Sequence, residues 1–217
     1  LLSLCVIGAT NLAMATTIRA FPREKAIVQR ERSKGQYAAL PYFLSKVVAE
    51  APAAVALSAL FGGLLYPLVG LQRSPERFAN FLALTTLNSL AAAALGLLLG
   101  AAAPSTDAAL AMFPPIVVLM IIFNGFNISE ESTPRAIRWL PKLSVIRWAF
   151  EGLCVNEFKG LEFTPEPGRP RAAQALSGDD ALARVAFEGS SVRTAAIAQA
   201  AILGGCYAQT YRILLNN

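Results

Sequence analysis

Histidine is missing altogether. Its absence removes His-dependent catalytic triads, HExxH zinc sites and histidine proton relays. Charge is scarce as well. Only 15% of the 217 residues are Asp, Glu, Lys or Arg, whereas a soluble domain carries about a quarter. No G-x-x-x-x-G-K-S/T stretch occurs, so the chain has no phosphate-cradling loop and cannot hydrolyse ATP by itself. No G-x-S-x-G elbow occurs either, and no group of catalytic side chains gathers at one depth. There are three cysteines, Cys5, Cys154 and Cys206. Two fall in apolar stretches, and an odd, scattered set is no disulfide framework. The net charge of +5 is spread over loops. Without an aromatic-rich basic strand or a recognition helix, it excludes a nucleic-acid partner. Basic loops of this kind meet lipid headgroups instead.

What the chain has is grease in long runs. Residues 1–18, 78–106, 108–129 and 194–211 hold no charge, and 47–72 hold only Glu50. A helix needs about 20 mostly apolar residues to cross a bilayer. Five segments meet or approach that length, too many for a short soluble protein to bury. The expected fold class is therefore all-α, a polytopic transmembrane helical bundle, and the chain is expected in a membrane as a multi-pass protein. Spans are expected at about 1–19, 42–66, 78–101, 107–127 and 193–214. Residues 1–18 make a poor signal peptide, because Arg19 follows the run instead of leading it. The chain starts with Leu, which fits a piece of a longer protein cut inside or just before its first visible span.

Between the first two spans lies a dense charged stretch. Arg23, Glu24, Lys25, Arg30, Glu31, Arg32 and Lys34 fall within residues 23–34. It reads as a short separate helix over 20–38, ended by Gly35 and stopped by Pro41. Its basic excess places it in the cytoplasm by the positive-inside tendency. The next spans then alternate, and 128–192 becomes a long external loop. Pro104 and Ser105 or Thr106 mark a stop and an N-cap between the third and fourth spans. Pro114-Pro115 should bend the fourth. Residues 134–160 read as an amphipathic or membrane-dipping re-entrant helix, and 161–192 as a solvent-exposed loop. Gly62-Gly63 and Gly204-Gly205 read as close-packing points within spans. Lys46 and Glu50 stand four residues apart, as do Arg147 and Glu151. Each pair shares a helix face and is expected to form a structural ion pair. Asn127-Ile128-Ser129 matches the N-glycosylation pattern close to a span end.

The order of short motifs adds more. The first span leads to F-x-x-E-K and Q-R-E-R-x-x-G-x-Y, followed by P-Y-F-L-S-K and E-x-P. Later come Asn124-Gly125 and S-x-x-R-W-x-x-E-x-L-x-x-N-E-F-x-G from Ser144 to Gly160. In joint order and spacing this resembles the membrane domain of G-subfamily (white–brown-complex) ABC half-transporters, from its second to its sixth span. The resemblance implies a type-2 exporter-like bundle that exports lipophilic cargo (lipid, sterol or xenobiotic) through a dimer interface. The partner would be an identical or a different half-transporter. The first span and the ATP-binding domain of the same polypeptide would lie outside this chain. ATP and Mg would belong to that domain, with no cofactor held here. The resemblance also implies roles. Glu24, Lys25, Arg30, Glu31 and Arg32 would couple to the ATP-binding domain. Gly8, Asn11, Leu12, Val118 and Ile121 would face the substrate cavity, and Phe126 and Asn127 would form the exit plug. A phenylalanine that clamps flat drugs in some members is Leu12 here. The competing readings are a non-transporting membrane scaffold and an intramembrane enzyme.

Overall fold

The computed structural model describes residues 2–33, 39–126, 137–163 and 177–216. Among the described residues seven α-helices follow one another: α1 (Leu2–Ser33), α2 (Ala39–Val69), α3 (Pro75–Ala102), α4 (Thr106–Ile122), α5 (Val145–Phe158), α6 (Gly178–Arg184) and α7 (Val192–Asn216). A 3-10 turn at Pro141–Leu143 precedes α5. No strand occurs among the described residues, only one isolated bridge between Glu162 and Ser177.

The helix ends follow local chemistry. Pro75 opens α3 at a position where its missing donor costs nothing. Ser105 caps α4 by accepting from the Ala108 amide, and Ser144 caps α5 by accepting from the Arg147 amide. Ser177 and Asp180 cap α6 reciprocally. Two expectations about boundaries change. Charge does not break α1, which runs without a gap from the apolar span into the charged stretch. Residues 20–33 are thus an extension of that span and not a separate helix, and 34–38 lie outside the described residues. Pro41 does not stop a helix; it sits in the first turn of α2, where proline is tolerated.

Helices occupy all five expected spans, but they are unequal. Among the described residues three are long and apolar enough to cross a membrane: Leu2–Ala20, Leu40–Val69 and Pro75–Ala102. Helix α4 is apolar but has only 17 residues. Helix α7 has the length but carries Arg193, Gln199, Gln209 and Arg212, and falls short on hydropathy.

Helix α3 is the hub. It packs on α1, α7, α2 and α5. Its alanine run, Ala91 to Ala94, is buried, and so are Leu97 and Gly96. Small residues let backbones approach closely where lipid supplies no hydrophobic drive. A Cβ on Gly96 would stand 3.0 Å from the Met14 carbonyl oxygen of α1, so this contact tolerates little else. Gly62 plays a similar part against Leu82, but Gly63, Gly204 and Gly205 face open space within this chain.

The region after α4 departs most from the sequence reading. Helix α5 is not an amphipathic surface segment. It is buried on nearly every face and packs on α7, α3, α1 and α4. Nor is 161–192 simply a solvent loop. Its described part includes α6, and Leu182 and Phe187 enter the main core. The Phe187 ring lies under the end of α4 and requires a glycine there. Gly125 has φ +87°, and a Cβ on it would come within 2.7 Å of Phe187. Gly125→Ala should therefore cost about 2 kcal/mol, from left-handed backbone strain plus overpacking. The melting temperature of the purified protein should fall by about 4–8 °C. An unchanged melting temperature would show that Phe187 moves aside freely.

Candidate functional site

Two features adjoin each other along α1 and α2. The first is a polar clasp between the α1 extension and the start of α2. Lys46 Nζ lies 2.9 Å from Glu24 Oε1 and 2.7 Å from Glu24 Oε2. The Tyr42 hydroxyl donates to Glu24 Oε2 at 3.2 Å. Glu50 Oε1 is farther from Lys46 Nζ, at 3.8 Å. The four-residue spacing therefore does bring Lys46 to Glu50, but the shorter bonds go to Glu24, 22 residues away in sequence. The sequence reading placed Glu24 at an interface with another domain and did not see this intramolecular partner.

The second feature is a cavity of about 500 Å³ between α1, α2 and α3. It exists because α1 and α2 touch little beyond the clasp. Gly8 and Leu12 line it from α1, together with Leu57 and Phe61 of α2. Glu50 lines the same cavity. Clasp and cavity thus share one side chain.

The expected cavity residues do not all meet here. Gly8 and Leu12 face α2 and α3, whereas Val118 and Ile121 of α4 lie outside this cavity. Asn11 is half-buried on α1. Val118 and Leu12 are each more than half exposed. Ile121 packs against the cores on both sides of α4. Phe126 is 63% exposed, with its ring edge-on to buried Phe150 at 6.0 Å. Asn127, and with it the glycosylation pattern, lies outside the described residues. Glu31 is half-buried on α1. Lys25, Arg30 and Arg32 fall on the same helix, with side chains outside the described residues.

The second expected pair sits deep in α5. Arg147 Nη2 is 3.7 Å from Glu151 Oε2, both side chains are nearly buried, and the guanidinium lies 4.9 Å from the Trp148 ring centre. The far end of α5 is held by residues that sequence reasoning missed. Arg77 Nη1 donates to the carbonyls of Asn156 and Glu157, and Nη2 to that of Lys159. Asn156 returns a bond to the Arg77 carbonyl, and Glu157 accepts from the Gln72 amide. The N-E-F-x-G motif thus anchors α5 to the α2–α3 turn. The available hint was Arg77 in the first turn of the proline-led helix α3. Buried polar pairs link further helices. Thr10 and Asn88 bond α1 to α3, and Ser58 and Ser89 lie 3.3 Å apart between α2 and α3. Among the described residues no three potential metal ligands gather.

The sequence is similar to known proteins. The family model of the ABC-2 type transporter membrane domain matches residues 1–158. ABC transporter G family member 7 of Arabidopsis thaliana is 42% identical over 217 residues, all of this chain and 29% of that protein. Protein white of Drosophila melanogaster is 35% identical over 146 residues, 67% of this chain and 21% of that protein. An ATP-binding protein/permease of Caenorhabditis elegans is 30% identical over 143 residues, 66% of this chain and 21% of that protein. The chain therefore spans less than a third of the length of these relatives. A helical bundle of this plan, matched over most of its length, belongs to the ABC-2 type transporter family and is an integral membrane domain of the G-subfamily kind.

Proposed function

We propose that this chain is the membrane-spanning part of an ATP-driven exporter of lipophilic cargo, working as a homo- or heterodimer. The observation that carries this reading is the single unbroken helix α1. Its 32 residues give about 48 Å if straight, at about 1.5 Å per residue. The hydrocarbon core takes about 30 Å of that. The rest is a charged arm in water, continuous with an apolar rod that packs on the hub helix α3. Force applied at Glu24, Lys25, Arg30, Glu31 or Arg32 is thereby delivered into the bundle. The natural source of that force is an ATP-binding domain of the same polypeptide, with ATP and Mg held there. The name of the Caenorhabditis elegans relative pairs ATP binding with a permease, which supports that assignment. Exposed Val118 and Leu119 of α4 supply an apolar face for a second half-transporter. Phe126, at the far end of α4, would narrow the exit between the two copies, with Asn127 beside it in sequence.

The test is ATPase stimulation of the full-length protein in liposomes across a panel of lipids and sterols. Charge reversal, Glu31→Lys, should cut stimulation at least about fivefold, the low end of ordinary coupling energies, while basal hydrolysis and expression persist. Stimulation unchanged by the reversal would overturn the coupling role.

A further inference from the structure

The cavity between α1, α2 and α3 has one polar atom left over. The Thr16 and Thr17 hydroxyls donate to carbonyls of their own helix, and Thr85 does the same on α3. Ser58 and Ser89 are paired. Each of these five residues lines the cavity with its hydroxyl already engaged. Glu50 also lines it, and its Oε2 is buried with no hydrogen-bond partner among the described residues.

Among the described side chains its charge is unbalanced as well. Lys46 is the one described cation bonded into the cluster, and both of its short contacts go to Glu24. Glu24, Lys46 and Glu50 together carry one negative charge in excess. A carboxylate oxygen shielded from water and without a donor is costly, and such a group inside a membrane protein marks a binding function by default.

The remaining wall is alkyl and aromatic: Leu57, Leu60, Phe61 and Leu64 of α2 against Gly8 and Leu12 of α1. From Glu50 to Leu64 is 14 residues along α2, about 20 Å at 1.5 Å per residue. Helices α1 and α2 run antiparallel, so Glu50 stands at the same end as Thr16 and Thr17, and Gly8 and Leu64 at the other. The volume lies within the usual range for small-molecule sites, about 300–1,000 Å³.

We propose that this cavity binds an amphipathic cation, with a protonated amine at the Glu50 carboxylate, which turns its buried oxygen toward the cavity to receive it, and an apolar tail lying along α2 toward Leu64. The site lies within one copy of the chain and does not depend on the passage proposed between two copies. An ammonium supplies both missing elements, a donor for the bare oxygen and a charge for the unbalanced cluster. A neutral lipid tail supplies neither.

The test uses the full-length transporter in nanodiscs and two photoreactive probes: dodecylamine with a diazirine in its chain, and the matched dodecanol. Cross-linked peptides are mapped by mass spectrometry. The amine should label α1 between Gly8 and Thr17 and α2 between Glu50 and Leu64, saturably. Glu50→Gln should lower amine labelling about tenfold and leave alcohol labelling unchanged, and Glu50→Asp should restore part of it. Filling the cavity with Ala54→Phe should abolish amine labelling while the protein stays monodisperse. Equal amine labelling of wild type and Glu50→Gln overturns the proposal. So does labelling confined to other segments, as would follow if another helix of the full-length protein fills the cavity. Basal ATPase is read on the same samples. Lost hydrolysis with retained amine labelling would count against the exporter reading and leave this site standing.

Discussion

Arg77→Ala should lower the melting temperature of the purified full-length protein by about 8–16 °C, an effect near 4 kcal/mol at the usual 2–4 °C per kcal/mol. The reason is the number of groups one side chain satisfies. A helix leaves its last four carbonyls without intrahelical donors. In α5 three of the carbonyls at or just past the end, those of Asn156, Glu157 and Lys159, accept from one guanidinium at 2.7–2.8 Å. The positive charge also faces the negative end of the helix dipole. Bonds to charged groups contribute about 1.5–3 kcal/mol each, though bonds sharing a donor do not add fully. Asn156 and Glu157 are themselves buried, so water replaces the lost donors poorly. Arg77→Lys should recover less than half of the loss, because an ammonium is a single point and cannot span three carbonyls. A melting temperature within about 2 °C of wild type for Arg77→Ala would show that the guanidinium is dispensable and that the Gln72 and Asn156 bonds and the apolar contacts hold α5.

The same clasp shows where sequence reading stops. Runs without charge mark where helices lie, because hydropathy and helical length are local properties. All five long apolar segments are helices for that reason. The partners of N-E-F-x-G are not local. Gln72 and Arg77 lie 79–85 residues before the groups they bond. One sequence carries no record of such a pairing. Helix α5 was misjudged for a related cause. Asn156 and Glu157 have no partner near them in sequence, yet in the fold they are buried and bonded to the α2–α3 turn. Helix α1 was cut at its charged half because a change in composition resembles a boundary. Composition sets what surrounds a helix and does not by itself end it, and the charged half continues without a break even through Pro22. Lys46 and Glu50 were seen as a pair because i, i+4 geometry is written in the sequence. Glu24, the closer partner of Lys46, requires α1 and α2 to be folded back on each other.

That geometry bears on how motion would pass through the bundle, and it predicts that Lys46→Met uncouples the transporter. Substrate stimulation of ATPase should fall about tenfold, within the 5–150-fold range of ordinary coupling energies. Basal hydrolysis should persist, since no phosphate-binding loop lies in this chain. Lys46 is the cation that joins the charged arm of α1 to α2, and the helices touch little elsewhere. Its loss leaves Glu24 and Glu50 facing one another without a positive charge between them. The cost lies between about 0.2–1 kcal/mol for exposed pairs and about 3–5 for buried ones. Glu24 is 39% exposed, which favours the lower half. This is enough to detach the arm without unfolding the span behind it. The double variant Glu24→Gln/Lys46→Met separates the clasp from a merely structural lysine. With no bare carboxylate left at residue 24, part of the stimulation should return, giving a coupling energy of about 1 kcal/mol or more in the mutant cycle. If Lys46→Met is stimulated like wild type, the arm passes its motion through the α1–α3 packing, and the clasp is a bystander.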